Sequence, residues 1–260
     1  MGTIRYDFTD ETVIVTGGSS GIGRAVARRF GDAGATVVVA DVRETPKAAS
    51  EHEPTHEWIE DSGGHAEFVE TDVSSPEEVS AVVEAAREFG GVDVMVNNAG
   101  IYRGGPLFSA AADTLDLLHS VNVRGVFAGC QAAARDMLER EEPGCIVNTA
   151  SISSEYAQVG HAMYDPTKGA VMMLTRVAAL ELAHLGIRVN AVAPGGVDTE
   201  IGSDQPAFDT DDLPSITKDV PMGRTASPEE IAGTYLFLAT DDASYVTGHL
   251  LYADGGYQVL

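Results

Sequence analysis

The chain has 260 residues, of which 44% are hydrophobic and 22% are charged, proportions that fit a single globular α/β domain over 1–260. Its 40 acidic and 16 basic residues give a formal net charge of −24, which disfavours nucleic acid and anionic membranes as partners. No apolar run is long enough to cross a bilayer, and residues 1–10 lack the apolar stretch of a signal peptide, so we expect a cytoplasmic protein.

The basic residues are unevenly divided, with three lysines against 13 arginines. An acidic, lysine-poor surface suits a protein that works in concentrated salt, where charges are screened over a few ångströms. We therefore expect a halophilic protein, with an acidic mesophilic enzyme as the alternative. The two cysteines, Cys130 and Cys145, show neither metal nor redox spacing, so we expect them to be buried packing residues and predict no metal site.

Apolar, β-rich runs alternate with helical patterns along the whole chain. In chain order, strands are expected at 12–16, 36–40, 65–70, 92–96, 145–149, 187–192 and 250–252. Helices are expected at about 21–32, 50–61, 76–89, 114–140, 167–185 and 228–239. This alternation predicts a doubly wound, Rossmann-like parallel sheet of about seven strands with helices on both faces. Residues 43–54 and 202–220 show no regular pattern, and we expect a substrate flap at about 200–224.

A glycine-rich turn follows the first expected strand and opens the first expected helix. Its Gly-x-x-x-Gly-x-Gly spacing differs from the common Gly-x-Gly-x-x-Gly dinucleotide fingerprint. Glycines let the backbone approach a pyrophosphate closely, and the free N–H groups of a helix start bind its negative charge. We therefore expect phosphate contacts along this turn, at Gly17, Ser19, Ser20, Gly21, Ile22 and Gly23.

Asp41 ends the second expected strand, 18 residues beyond Gly23, where a carboxylate would accept hydrogen bonds from the adenosine ribose hydroxyls. The same carboxylate would repel a 2′-phosphate, so Asp41, with Val42 beside it, predicts NAD rather than NADP. Arg43 could soften this discrimination. The carboxyl ends of the strands line the ligand crevice in such a sheet, so further cofactor contacts are expected at Asp72, Val73, Asn98, Ala99, Gly100 and Val121.

Tyr164 and Lys168 stand four residues apart, just after the fifth expected strand, which puts both side chains on one face of a helix. Keeping one of only three lysines here favours a role that a guanidinium cannot fill. A phenol has an ordinary pKa of about 10 and needs a neighbouring cation to exchange protons at neutral pH, which Lys168 would supply. Ser151, at the end of the fifth strand, would hydrogen-bond the substrate oxygen.

The order and spacing of these motifs resemble the short-chain dehydrogenase/reductase family over essentially the whole chain. The matching features are Thr-Gly-x-x-x-Gly-Ile-Gly at 16–23, Asn-Asn-Ala-Gly at 97–100, Ser151 thirteen residues before Tyr164, Tyr164-x-x-x-Lys168, and Pro194-Gly195. Between the tyrosine and the lysine, Asp165, Pro166 and Thr167 replace the small residues that are more usual in the family.

The resemblance implies a catalytic tetrad made of Asn122, Ser151, Tyr164 and Lys168, with Tyr164 as the general acid/base. It also implies that Lys168 holds the nicotinamide ribose and that Asn122 anchors a water that relays protons through Lys168. By the same resemblance, the segment after the sixth strand lies against the nicotinamide, with contacts at Pro194, Gly195, Val197 and Thr199.

These residues predict an NAD-dependent oxidoreductase that moves a hydride between a secondary alcohol, possibly a sugar or sugar acid, and its carbonyl. A 3-oxoacyl-thioester reductase fits the same motifs. The alternatives from other classes are a non-catalytic dinucleotide-binding redox sensor and a longer nucleotide-sugar epimerase, whose C-terminal substrate domain is not expected here. Arg103, His161 and Met163 lie close to the motifs and either face the substrate or serve solvation and packing.

The helix expected over 167–185 is apolar on nearly every side, through Val171, Met172, Met173, Leu174, Val177, Leu180 and Leu182. One sheet covers only a single stripe of a helix. A second copy of the chain is the natural cover for the remainder, so we expect a homo-oligomer, either a dimer or a tetramer. The other expected partner is a small alcohol or carbonyl substrate.

Overall fold

Parallel strands build one sheet in the computed structural model of the chain, which describes residues 2, 4–48, 51–203 and 218–259. The strands are β1 (Thr12–Thr16), β2 (Thr36–Asp41), β3 (His65–Glu70), β4 (Val94–Asn97), β5 (Gly144–Thr149), β6 (Ile187–Pro194) and β7 (Leu250–Ala253). They form a seven-stranded sheet in the order β3-β2-β1-β4-β5-β6-β7. The expected fold class and strand number are confirmed.

The order of the strands reverses at β1, which pairs with β2 on one side and with β4 on the other. Val15 of this strand pairs with both Val39 and Val96. Every residue of β1 is buried, as expected for a central parallel strand with helices on both faces. Ligands of open α/β sheets bind beyond the carboxyl ends of the strands at such a switch point, so the topology places a site beside β1 and β4.

Helices cover both faces of the sheet. They are α1 (Gly21–Asp32), α2 (Thr55–Asp61), α3 (Pro76–Ala85), α4 (Ala112–His119), α5 (Val126–Arg140), α6 (Asp165–Leu182) and α7 (Pro228–Ala239). One apolar core lies beneath α1, α2 and α7, with Phe30 and Leu236 buried, and the other lies beneath α3, α5 and α6, with Met137 and Val171 buried. Burial of each such side chain contributes about 1.5–3 kcal/mol, so the two cores together hold the strand ends in place.

The helix expected over 114–140 is interrupted. It consists of α4, a wider π-helical turn at Ser120–Gly125, and α5. The sequence does not reveal the interruption, because one extra residue in a turn changes the apolar period very little.

Other element ends also differ from those expected. The helix expected from residue 50 begins at Thr55, because the residue before Pro54 is disfavoured in helical conformation. α3 and α6 end earlier than expected, since their last turns tighten into 3₁₀ turns at Ala86–Phe89 and Ala183–Leu185. β4 is shifted to Val94–Asn97 from the expected 92–96.

Both cysteines are buried packing residues, as expected. Burial raises the pKa of the Cys130 thiol to about 12 and that of Cys145 to about 11, so neither forms a reactive thiolate at neutral pH. Within the described residues, no cluster of His, Cys, Asp and Glu side chains is arranged to hold a metal ion. No helix among the described residues is long and apolar enough to cross a membrane.

Candidate active site

A cleft of about 530 Å³ lies at the carboxyl ends of the strands, beside β1 and β4. Its walls come from the glycine-rich turn, the strand ends and the start of α6. Most residues singled out in the sequence line it: Gly17, Ser20, Gly21, Ile22, Asp41, Val42, Asp72, Val73, Asn98, Ala99, Gly100, Val121, Ser151, Tyr164, Lys168, Pro194, Gly195, Val197 and Thr199. Ser19, Gly23 and Asn122 do not line the cleft and instead support its walls.

The glycine-rich turn requires glycine at two positions in particular. Gly17 has a φ of +64°, in the left-handed region that side chains disfavour. A Cβ on Gly23 would overlap the carbonyl oxygen of Gly17 and the side-chain amide of Asn98. Since α1 begins within this turn, unpaired N–H groups of a helix start lie beside the cleft, as binding of a phosphate requires.

Hydrogen bonds of Asn98 and its neighbour connect the chain after β4 to the end of β1. The backbone N–H groups of Asn98 and Ala99 donate to Thr16 Oγ1 at 3.0 and 3.1 Å, and Asn98 Nδ2 donates to the Thr16 carbonyl oxygen at 3.0 Å. The side chain of Asn98 thus holds the cleft wall in shape, and the backbone that follows it borders the cleft.

Asp41 ends β2 at one end of the cleft. Its Oδ2 accepts a hydrogen bond from the Ser19 N–H at 3.1 Å, and its Oδ1 accepts one from the Arg43 N–H at 3.3 Å. Burial raises the pKa of Asp41, and these two hydrogen bonds act against that rise. Arg43 and Lys47 also line the cleft, so its lining combines the Asp41 carboxyl group with two basic side chains.

Ser151 and Tyr164 meet deeper in the cleft. Ser151 begins a 3₁₀ turn after β5, where its Oγ accepts the Ser153 N–H at 3.1 Å, and it hydrogen-bonds the phenol of Tyr164. Burial raises the pKa of Tyr164, while the Ser151 hydrogen bond lowers it. The net direction is opposite to the one expected from a neighbouring cation, because loss of solvent disfavours the phenolate more strongly.

Lys168 lies one helical turn beyond Tyr164 and is only 4% exposed. Its Nζ donates to the Thr149 carbonyl oxygen at 2.8 Å and lies 5.8 Å from the centre of the Tyr164 ring. Burial lowers the pKa of Lys168 to about 8, so the amine is mostly protonated at neutral pH. The fold therefore brings a buried ammonium group beside the phenol at the end of β5.

Asn122 lies in the wide turn between α4 and α5 and is fully buried. Its Oδ1 accepts the Ile101 N–H at 2.9 Å, and its Nδ2 donates to the Ile101 carbonyl oxygen at 2.9 Å and to Thr167 Oγ1 at 3.2 Å. A Cβ on Gly100 would lie 3.4 Å from Asn122 Oδ1 and 3.9 Å from Lys168 Nζ. Asn122 thus joins the loop after β4 to the start of α6, close to Lys168.

Several lining residues carried no motif in the sequence. They include Thr71, Ile101, Leu117, Thr149, Ala150, Glu200 and Ile201, together with Tyr102. The Tyr102 ring packs edge-on against Tyr164, with centroids 5.1 Å apart. Position alone could have indicated Tyr102, because it follows Asn-Asn-Ala-Gly at the carboxyl end of β4.

The sequence left open whether Arg103, His161 and Met163 face the substrate, and the structure gives them different surroundings. Arg103 lines the cleft and donates to the Tyr102 carbonyl oxygen at 2.8 Å. Met163 is buried and serves packing, whereas His161 contacts the aromatic rings beside the cleft. The expected flap at about 200–224 falls largely on residues 204–217, which lie outside the described residues.

Known proteins are similar in sequence to this chain along most of its length. The profile of the family described as "Enoyl-(Acyl carrier protein) reductase" matches residues 17–258. The chain is 43% identical to the 3beta-hydroxysteroid dehydrogenase 1 of Eggerthella lenta over 251 residues, which cover 96% of this chain and 94% of that protein.

Solved structures share the fold as well. A short-chain type dehydrogenase/reductase from Mycobacterium marinum has a TM-score of 0.88 and 34% identity, over 98% of both chains. A putative NAD(P) dependent gluconate 5-dehydrogenase from Beutenbergia cavernae, with bound NADP at low occupancy, has a TM-score of 0.86 and 35% identity, over 99% of this chain and 100% of that one. The chain therefore belongs to the short-chain dehydrogenase/reductase family and is an oxidoreductase that acts on CH–OH groups.

Proposed function

We propose that this enzyme transfers a hydride between a secondary alcohol and NAD, with Tyr164 as the general acid/base. One observation carries the proposal: the phenol of Tyr164 hydrogen-bonds Ser151 and lies beside the buried Lys168, in the same cleft as the glycine-rich turn. A phenol held between a hydroxyl and an ammonium group is equipped to transfer a proton.

The cleft fits a nicotinamide dinucleotide. The turn lines the cleft through Gly17, Ser20, Gly21 and Ile22, and Ser19 Oγ is buried in it with no hydrogen-bond partner among the described residues. Gly21 approaches Thr199 so closely that a Cβ on the glycine would lie 3.3 Å from Thr199 Cγ2. When bound, the nicotinamide ring supplies the hydride acceptor in oxidation and the hydride donor in reduction.

The protein groups handle the proton. In oxidation, Tyr164 Oη takes the hydroxyl proton of the alcohol while the hydride leaves its carbon, and Ser151 Oγ hydrogen-bonds the substrate oxygen. In reduction, Tyr164 returns the proton to the carbonyl oxygen. Lys168 stabilises the phenolate and holds the nicotinamide ribose. Asn122 Oδ1 keeps a lone pair beyond its bond to Ile101, with which it anchors a water that relays the proton from Lys168.

A substrate screen tests the proposal. Secondary alcohols, sugars, sugar acids and 3-hydroxyacyl thioesters are each incubated with NAD in molar KCl, and NADH formation is measured. We expect turnover of at least one alcohol or sugar class. The second candidate is a 3-oxoacyl-thioester reductase, since the description of the matching family names an acyl-thioester substrate, although one reduced at a C=C bond. This candidate predicts turnover of the thioester alone. NADH binding without any turnover would contradict both.

The preference for NAD rests on Asp41. The relative from Beutenbergia cavernae carries NADP, so membership of the family is compatible with either dinucleotide. We expect the enzyme to favour NAD, because the Asp41 carboxylate repels a 2′-phosphate. In Asp41→Ser, kcat/KM for NAD should fall and that for NADP should rise, each by about 10-fold or more. Asp61→Ser, which alters an exposed acid at the end of α2, should change neither, and a wild-type preference for NADP would overturn the role of Asp41.

The exposed face of α6 supports a homo-oligomer, either a dimer or a tetramer. Met173, Val177 and Leu180 are exposed along this helix, Leu180 by 82%, although apolar side chains of this size gain by burial. A second copy covers such a face at little cost in polar groups. A monomeric molar mass by light scattering at micromolar concentration would contradict this proposal.

We also propose a single-domain enzyme of the cytoplasm, adapted to high salt. One family profile spans residues 17–258, which supports a single domain. The net charge of −24 and the scarcity of lysine support the halophilic character, and the soluble nicotinamide cofactor supports the location.

A further inference from the structure

His161 lies against the catalytic tyrosine. Its ring centroid is 6.0 Å from that of Tyr164 and 5.0 Å from that of Tyr102, and those two tyrosine rings are 5.1 Å apart. Both tyrosines line the cleft, and the His161 ring, which is not part of that lining, packs directly against both of them. The three rings therefore form one cluster around the phenol that transfers the proton, and this cluster contains one imidazole.

Asp165 fixes the orientation of that imidazole. Asp165 Oδ1 lies 3.0 Å from His161 Nδ1, and Asp165 Oδ2 accepts the Gln158 N–H at 2.7 Å. Asp165 is the first residue of α6, where the helix dipole favours a negative charge. Because a carboxylate only accepts hydrogen bonds, Nδ1 donates its proton to Asp165.

The described polar side chains around the His161 ring contact its Nδ1 rather than its Nε2. Gln158 Nε2 lies 3.3 Å from His161 Nδ1 but donates instead to Ser153 Oγ at 2.7 Å. No partner of His161 Nε2 occurs among the described residues, and the side chain is 22% exposed. An imidazole held by a carboxylate at one nitrogen presents the other to a ligand.

We propose that His161 Nε2 binds a second oxygen of the substrate, on the carbon next to the one that is oxidised. The preferred substrates are then vicinal diols and, in reduction, α-hydroxy ketones, with sugars included where hydroxyls are adjacent. A hydroxyl suits Nε2 in either protonation state of the ring, since it both donates and accepts hydrogen bonds. An alcohol without this oxygen leaves Nε2 desolvated and unpaired, which disfavours its binding. Asp165 is the positioning residue for this contact.

This proposal rests on the proposed function. Matched pairs of substrates distinguish a failure of this proposal from a failure of the proposed function. Each pair differs by one hydroxyl on the neighbouring carbon: butane-2,3-diol and butan-2-ol, cyclohexane-1,2-diol and cyclohexanol, glucose and 2-deoxyglucose. The wild-type enzyme should favour the hydroxylated member of the pairs that it accepts by about 10- to 100-fold in kcat/KM.

The variant His161→Phe keeps an aromatic ring against Tyr102 and Tyr164 but removes the nitrogen. It should lose most of the preference for diols while turnover of the simple alcohols stays within about threefold of wild type. His65→Phe is the matched control, because His65 also packs edge-on against an aromatic ring, Phe89, at 5.3 Å but lies at the opposite end of its strand from the cleft. This control should keep the preference.

Three results would overturn the proposal. Equal use of both members of every accepted pair by the wild type shows that the neighbouring oxygen is not recognised. An equal loss for both members in His161→Phe shows a structural role for the ring. Absence of turnover with all six compounds overturns it as well: if another alcohol is turned over, adjacent hydroxyls are not preferred, and if none is, the proposed function itself is contradicted.

Discussion

The hydrogen bond between Ser151 and the Tyr164 phenol is the contact through which one side chain adjusts the acidity of another. Burial raises the pKa of Tyr164, and the Ser151 hydroxyl is the group that acts against this rise. Buried alone, the phenol would be a poor base, because its anion would have no solvent to stabilise it. In the proposed mechanism, Ser151 therefore contributes to proton transfer as well as to binding of the substrate oxygen.

Removal of the Ser151 hydroxyl should shift the pH profile of alcohol oxidation. Without the hydrogen bond the pKa of Tyr164 rises further, so the rise of kcat/KM with pH, which follows formation of the phenolate, should move to higher pH in Ser151→Ala. At neutral pH we expect kcat/KM to fall by about 10²- to 10³-fold. Ser80→Ala, at an exposed serine on α3, serves as the control, and an unmoved profile in Ser151→Ala would show that Ser151 does not act on the phenol.

The sequence predicts which residues form the site better than it predicts their contacts and pKa values. Ser151, Tyr164 and Lys168 could be found because their spacing and their position after β5 are visible in the sequence. The direction of the Tyr164 pKa could not, since it depends on how deeply the fold buries the phenol. The side-chain hydrogen bonds of Asn122 to Ile101 and Thr167 could not be predicted either, because they join segments that are far apart in the chain.

At the scale of elements, the strands were predictable and one helix was not. A short β-branched run such as Val13–Val15, followed by a glycine-rich turn, is typical of a parallel strand that is buried on both faces, so the sequence predicts both its type and its central place. The wide turn at Ser120–Gly125 keeps the apolar pattern of a continuous helix, so only the structure reveals it. This turn places Asn122 under the loop after β4, and wide turns of this kind occur frequently at functional sites.

Acidic side chains lie close together at the start of β1, at the end of the sheet opposite to the cleft. Glu11, just before β1, has its pKa raised from 4.5 to about 7, first by burial and then by Asp93 and Asp241. The folded chain thus binds this proton more tightly than the unfolded chain does. The stabilisation is fully present below pH 4.5 and is lost as the pH rises to about 7.

Glu11→Gln should therefore stabilise the protein most above pH 7. We expect the Tm to rise by about 2–4 °C at pH 8 and to change little at pH 4.5, as measured by calorimetry in the same salt. Glu57→Gln, at an exposed glutamate of α2, should have no such effect. A gain in Tm that is larger at pH 4.5 than at pH 8 would contradict the assigned pKa direction.

The net charge of −24 acts on the molecule as a whole. Acidic side chains repel one another over the surface, and the screening length shortens from about 10 Å at 0.1 M salt to about 3 Å at 1 M. We expect the Tm to rise steadily with KCl up to molar concentrations, as checked by calorimetry at pH 7.5. A matched series in NaCl of equal ionic strength should reproduce the rise, because screening depends on ionic strength, and a Tm that is highest in dilute buffer would contradict the halophilic proposal.

The whole molecule brings Tyr164, the proposed proton-transfer group, and the proposed dinucleotide site together in one cleft at the carboxyl ends of the strands, and the proposed function depends on Tyr164. The most direct test compares Tyr164→Phe with the wild type for NADH formation from the best substrate, together with NADH affinity by calorimetric titration. The account predicts that kcat falls by about 10²- to 10⁴-fold while NADH affinity is retained. Unchanged turnover in Tyr164→Phe would contradict it.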